Sequence, residues 1–187
     1  STGKLGKEIQ LIYKNHNIEL ICPTSKEMDI TDFEAVKNKI SICKPDLVIH
    51  SAAYTDVKNA EKEIDKIIDI NVIGTSNLVK ACKLNDLKMV FISTDYVFDG
   101  EQGNYKTTDK INPVTKYAKS KASAELVARL YDKSLIIRTS FFGRDFPYDK
   151  ALTDQWTSKD YVDVMAPCAS LFTIITKEKY KNKTKNF

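Results

Sequence analysis

The stretch from 89 to 121 constrains this chain more than any other. Met89-Val-Phe-Ile92 is an unbroken apolar run, the pattern of a short strand buried on both faces. It delivers Ser93 and Thr94 to its carboxyl end. Tyr117 stands 23 positions past Thr94, at the start of a helical pattern, with Lys121 four residues on. At 3.6 residues per turn, that spacing puts the phenol and the ammonium on nearly one helix face. A strand end and the following helix must therefore meet around these side chains, as they do in an α/β sheet.

The residue types suit the reduction of a carbonyl. Hydride arriving on a carbonyl carbon leaves negative charge on the oxygen, which needs a proton and a hydrogen-bond donor set in place beforehand. An ordinary tyrosine titrates near pH 10. A neighbouring ammonium favours the phenolate, so Lys121 is expected to lower the pKa of Tyr117. The lysine has further N–H groups for ribose hydroxyls. Thr94 is expected to hold the substrate oxygen against Tyr117. Standing alone, a Tyr-x-x-x-Lys pair reads first as an exposed helix face.

Ser93-Thr-Asp-Tyr-Val-Phe-Asp-Gly100, Arg138-Thr-Ser-Phe-Phe-Gly143 and the Tyr117/Lys121 pair resemble the extended short-chain dehydrogenase/reductases. The first two words resemble one branch, the dTDP-4-dehydrorhamnose reductases and related sugar-nucleotide enzymes. The resemblance runs from about Thr2 to Gly143. It implies a Rossmann-like, doubly wound parallel sheet with right-handed crossovers, binding cofactor and substrate at the strands' carboxyl ends. It makes Thr94, Tyr117 and Lys121 the catalytic residues, with Asp95, Tyr96 and Phe141 beside the sugar. The branch usually has tryptophan where Phe141 stands, which leaves the exact sugar open. Tyr96 reads alternatively as an aromatic plug under the following loop.

The chain begins unusually for such a fold. Ser1-Thr-Gly-Lys-Leu-Gly6 looks like the back half of a G-x-x-G-x-x-G fingerprint. Gly3, Lys4, Leu5 and Gly6 would then approach a pyrophosphate at the start of a helix continuing through Tyr13. A plain turn is the alternative. The first strand and first glycine are missing from this pattern, so the chain is expected to be a fragment of a longer parent. Ile18 to Cys22 is expected to be the second strand. The loop after it, Pro23-Thr-Ser-Lys26, has no carboxylate for an adenosine ribose, and Lys26 could meet a 2′-phosphate or simply face solvent. This inclines the cofactor from NAD toward NADP.

Asp29 and Ile30 match the branch's adenine contact, although Asp29 could equally serve a helix start capped by Thr31 or Asp32. Pro45 ends that helix, and Asp46 to His50 reads as the third strand. By resemblance Ala52, Ala53 and Tyr54 line the cofactor loop. His50 reads as a satisfied core histidine, and His16 lies in a polar turn. Val57 to Leu84 is read as one long helical region. Within it, Asn71-Val-Ile-Gly-Thr75 matches a family motif in which the asparagine braces the active-site strand and the catalytic lysine through water. Asp99 to Asn112 reads as a surface loop. Pro113 is placed in the first turn of the catalytic helix, whose buried face is expected to use Leu126, Val127 and Leu130. Ser134 to Arg138 is a further strand.

Two domains are expected: 1–143 for NAD(P), lacking its first strand, and 144–187 as part of a smaller substrate domain. In the latter, Ala166 to Ile175 is apolar enough to pack on the sheet, and Lys177 to Asn186 reads as a solvated tail. With 42% hydrophobic and 29% charged residues, the composition is that of a globular protein. A net charge of +4 is too small and dispersed to suggest nucleic acid. No apolar run approaches the roughly 20 residues of a membrane span, and no signal-peptide pattern occurs. Cys22, Cys43, Cys82 and Cys168 are widely separated. They read as buried small side chains in a reducing compartment, hence a cytoplasmic protein. No residue group has metal-ligand spacing, and a homodimer is left open.

The leading expectation is NAD(P)H-dependent reduction of a 4-keto-6-deoxy sugar nucleotide, dTDP-4-dehydrorhamnose above others. The related dehydratases carry Asp-Glu after the catalytic threonine, whereas this chain has Asp95-Tyr96 and lacks the second carboxylate. A sugar-nucleotide epimerase could use the same Thr/Tyr/Lys set. A different class of function is an NADP-binding regulatory subunit of a methionine adenosyltransferase without turnover. A fragment with no activity of its own is the remaining alternative.

Overall fold

The computed structural model describes residues 3–14, 18–144 and 159–167. In chain order the elements are α1 (Lys4–Tyr13), α2 (Phe33–Cys43), β1 (Leu47–His50), α3 (Val57–Ala60), α4 (Ile64–Ile67), α5 (Gly74–Leu84), β2 (Lys88–Ser93), α6 (Lys116–Arg129), β3 (Ser134–Arg138), β4 (Phe141–Phe142) and β5 (Asp160–Tyr161). A π-helical turn, Ile68–Ile73, joins α4 to α5, and a 3₁₀ turn, Asp95–Val97, follows β2. Two compact units result. One is Pro23–Thr139; the other combines residues before Pro23 with those after Thr139.

In the first unit β1, β2 and β3 form a parallel sheet in that order. Leu47 pairs with Lys88 and His50 with Phe91; on the other side Met89 pairs with Ser134 and Ser93 with Arg138. The middle strand is the apolar run singled out in the sequence, and residues 89–93 are all buried. Met89 and Phe91 point into a core with Val36 and Ile40 of α2, Leu78 and Cys82 of α5, and Ala124 and Ala128 of α6. Val90 and Ile92 face the other way, as strand alternation requires. Asp32 caps α2 by accepting from the N–H groups of Glu34 and Ala35. Lys44 ends that helix in the left-handed region at φ 43°, and Pro45 follows.

Several sequence expectations are corrected here. Residues 18–22 form no strand: a strand is defined by its ladder, and no sheet among the described residues includes this stretch. The expected helix from Val57 to Leu84 is broken after Ala60. The backbone leaves helical geometry at Glu63, φ −98° and ψ 57°, two residues past Glu61, whose carbonyl accepts from Lys116 Nζ and whose carboxylate accepts from Lys116 N–H. Pro113 precedes α6 rather than lying in its first turn, because Thr115 caps the helix through the N–H of Ala118. Leu126 and Leu130 are exposed. The helix instead buries Ala118, Ala122, Ala124 and Ala128, whose small side chains let it approach the sheet closely, together with polar residues that find partners there.

In the second unit, α1 forms as expected. Its Glu8 carboxylate accepts from Arg144 Nε and Nη2 at 2.6 and 2.8 Å. β4 and β5 pair in parallel, and residues 162–167 are helical. Among the described residues no helix is long and apolar enough to cross a membrane. Cys82 is buried, and burial pushes its thiol up to about 12; Cys22 and Cys43 are only half-buried. His16, Cys168, most of 145–175 and the lysine-rich 177–186 lie outside the described residues.

Candidate active site

The end of β2 offers two adjacent hydroxyls, and strand alternation sends them to opposite sides. Ser93 donates to Glu125 Oε2 at 2.7 Å and is thereby engaged away from the site. Thr94 opens the 3₁₀ turn, its Oγ1 accepting from Tyr96 N–H at 3.2 Å. The same hydroxyl lies near enough to the Tyr117 phenol to act on its titration. Lys121, one turn beyond Tyr117 on α6, is only 4% exposed. Its Nζ donates to the carbonyl of Ile92 at 2.8 Å and lies 4.3 Å above the Phe91 ring. Thr94, Tyr117 and Lys121 therefore gather at the carboxyl end of β2, as the spacing suggested.

The electrostatics depart from the sequence expectation. Burial pushes the Tyr117 phenol up to about 12, with Thr94 acting in the opposite direction. Burial also lowers the Lys121 ammonium to about 8, with Glu125 acting in the opposite direction. At neutral pH the phenol is thus a protonated acid, and most of the lysine remains charged.

Asn71 sits at the centre of the π turn. Its Oδ1 accepts from Tyr54 N–H at 2.8 Å, and its Nδ2 donates to Tyr54 O at 3.3 Å and Ser120 Oγ at 2.8 Å. It braces the loop after β1 against α6. The extra residue of a π turn swings one side chain inward without breaking the helix, and such turns recur at functional sites. The carbonyl of Asn71 accepts from Thr75 Oγ1 at 2.6 Å. That leaves the Thr75 oxygen to accept from His50 Nε2 at 2.9 Å, which assigns the proton to Nε2. His50 is a satisfied core histidine; burial, then the Lys121 charge, depresses it to about 3.

The remaining sequence candidates in this unit surround the sheet's carboxyl end or its flank. Ala52 and Ala53 lie in the open loop after β1. Tyr54 donates its hydroxyl to Glu63 Oε2 at 2.5 Å. Tyr96 packs edge-on against Tyr117 with ring centres 6.2 Å apart, and Asp95 accepts from Thr94 Oγ1 at 3.3 Å. Asp29 is exposed and accepts from the N–H and hydroxyl of Thr31; it is not the cap of α2. Ile30 rests on Gly74, where an added Cβ would come within 2.6 Å of its Cδ1. Asn77 Nδ2 holds the carbonyls of Ile30 and Thr31 at 2.9 and 3.0 Å. Glu27, just past the expected carboxylate-free loop, bends back to accept from Thr24 N–H and Oγ1.

In the other unit, Gly3 is the N-cap of α1 and supplies no capping side chain, and nothing lies within 4 Å of where its Cβ would stand. The first-turn amides and the open approach at Gly3 fit an anionic group. Lys4 is exposed, while Leu5 and Gly6 are buried. Phe141 lies in β4, paired with Asp160.

Sequence reasoning missed Ser120, Glu125 and Asn77. The first two belong to a helical stripe that also holds identified residues. Ser120 is three positions after Tyr117, Glu125 four after Lys121, and Asn77 six after Asn71. That spacing was the available signal for the first two.

Comparison with known proteins gives consistent matches. The family described as RmlD substrate binding domain matches residues 1–166. The dTDP-4-dehydrorhamnose reductase of Aggregatibacter actinomycetemcomitans is 39% identical over 151 residues, covering 77% of this chain and 51% of that protein. A dTDP-4-dehydrorhamnose reductase crystal structure from Clostridium acetobutylicum superposes with a TM-score of 0.85 at 31% identity, over 95% of this chain and 69% of the other. The Bacillus anthracis dTDP-4-dehydrorhamnose reductase, solved with NADP, gives 0.73 at 37% identity, over 77% and 52%. The chain spans about half the length of the curated relatives it matches.

Proposed function

The chain belongs to the RmlD substrate-binding-domain family, a Rossmann-like α/β group, and from that premise we propose that the protein reduces the ketone of dTDP-4-dehydrorhamnose with NADPH or NADH. The observation that carries this reading is the placing of Thr94 and Tyr117 together at the carboxyl end of β2, with Lys121 buried one turn further on and held to Ile92 O.

When bound, the nicotinamide supplies hydride. The chain's own residues manage the proton and the charge. The Tyr117 phenol, held protonated by burial, donates its proton to the ketone oxygen as negative charge develops there; an alkoxide is basic enough to take it. Thr94 holds the same oxygen through its hydroxyl. The Lys121 ammonium keeps positive charge beside the site and has N–H groups left, beyond the one on Ile92, for ribose hydroxyls.

Residues 1–143 would hold the cofactor: Gly3, Lys4, Leu5 and Gly6 at the pyrophosphate, Asp29 and Ile30 at adenine, Ala52, Ala53 and Tyr54 along the loop, and Asn71 as the brace. Residues 144–187 would open the substrate segment, and Asp95, Tyr96 and Phe141 would meet the sugar. A cytoplasmic location accompanies this reading. The test follows NADPH and NADH absorbance with dTDP-4-dehydrorhamnose. Turnover that identifies the preferred cofactor supports the proposal. Cofactor binding without turnover on this ketone contradicts it and favours a binding protein.

A further inference from the structure

Glu125 is a carboxylate almost fully removed from water, at 1% exposure, and the reaction outlined above gives it no role. Both its oxygens are occupied. Oε2 accepts from Ser93 Oγ at 2.7 Å and Arg138 Nε at 3.1 Å. Oε1 accepts from Arg138 Nη2 at 2.7 Å and Arg129 Nη2 at 2.8 Å. Ser93 and Arg138 are register partners on β2 and β3, so both side chains leave the sheet on one face, under α6.

The network extends in two directions. On α6, Lys121 and Glu125 are one turn apart and fasten the helix to consecutive residues of β2, at Ile92 O and Ser93 Oγ. Beyond the sheet, the Arg138 guanidinium lies 5.0 Å above the Phe98 ring, and its Nη1 donates to Thr107 O at 3.4 Å. Phe98 stacks on Tyr105 at 4.4 Å, and the Tyr105 hydroxyl and Asn112 Nδ2 both donate to Asp99. One buried carboxylate thus joins the strand end that carries Thr94, the helix that carries Tyr117 and Lys121, and the loop between them.

A buried ion pair is a poor source of net stability, since desolvating two charges offsets much of their attraction, and apolar pairs of similar size often do as well. What apolar residues cannot supply is the directional hold on Ser93 and on the loop. We propose that Glu125 is a positioning residue for the reduction, fixing the Thr94 strand end against α6 and, through Arg138, ordering residues 98–112. This rests on the reductase reading.

The decisive variant removes both charges together, Glu125→Met with Arg138→Met, in the intact protein. Stability alone predicts that this pair restores both melting temperature and turnover relative to Glu125→Met by itself. Positioning predicts that the melting temperature recovers while kcat stays at least about tenfold down, with KM for the cofactor within about threefold of wild type. Recovery of kcat together with stability overturns the proposal. Hydrogen exchange of 94–112 provides a readout independent of turnover. Faster exchange there in the double variant, with 47–50 still protected, supports positioning; unchanged exchange overturns it. If the wild-type protein turns over no keto sugar, the reductase reading fails, and exchange alone decides whether the network orders the loop.

Discussion

Lowering the pH should destabilise this fold through His50 in particular. The imidazole is buried, donates to Thr75 and lies beside Lys121, so its native pKa falls from 6.5 to about 3. Between these values the unfolded chain binds a proton that the native state refuses. Stability is therefore undiminished above pH 6.5 and is lost as pH falls toward 3. At about pH 4.5 the gap spans roughly two pKa units, or about 3 kcal/mol at 1.36 kcal/mol per unit. That is a large share of the 5–15 kcal/mol typical of a domain. His50→Gln keeps an N–H for Thr75 and removes the titration, at a cost near neutrality of about 1 kcal/mol. Urea unfolding of both proteins, followed by circular dichroism at neutral pH and about pH 4.5, isolates the effect because the other titrating groups are shared. Wild type should lose about 3 kcal/mol more than the variant over that interval. Parallel losses, within about 0.5 kcal/mol, would refute the assignment of His50 as a buried neutral base.

Lys44→Gly should stabilise the protein by about 0.5–1 kcal/mol in the same unfolding assay, because φ 43° at the end of α2 strains a residue that has a Cβ. Asn71→Ala should cost roughly 2–3 kcal/mol, since it strands the backbone N–H and carbonyl of Tyr54; a loss below about 1 kcal/mol would mean that Asn71 is not the brace. Leu126→Gln should change stability by less than about 0.5 kcal/mol, as expected for an exposed helix position; a loss above about 2 kcal/mol would restore Leu126 to the core.

The parts of the fold read most clearly in the sequence were those set by local pattern. β2 was legible because an apolar run flanked by polar residues has few other uses, and Tyr117 with Lys121 was legible because helical spacing dictates their common face. The sheet's register followed from neither. The π turn at Ile68–Ile73 left no trace, since one extra residue in a turn barely alters apolar periodicity, and Asn71 could be placed only by its motif. Glu125 and Arg138 escaped because charged residues on a helix and a strand ordinarily face water; only the pairing of Ser93 with Arg138 shows that they share one buried face. Leu126 and Leu130 misled for the converse reason. Their spacing suits a buried stripe, but alanines let α6 lie closer to the sheet along another one. Residues 18–22 were apolar enough for a strand and lacked a ladder.

The central claim is that Tyr117 and Thr94 direct hydride transfer to a sugar ketone. Its most direct test uses NADPH deuterated at the transferable position of the nicotinamide, incubated with dTDP-4-dehydrorhamnose and wild-type protein or the Tyr117→Phe variant. The account predicts deuterium on the sugar carbon that bore the ketone. It also predicts a rate roughly 10²–10⁴-fold lower in the variant, the size of effect usual for general acid catalysis, with cofactor affinity retained. Deuterium that stays on the cofactor while both proteins bind it equally well would contradict the claim.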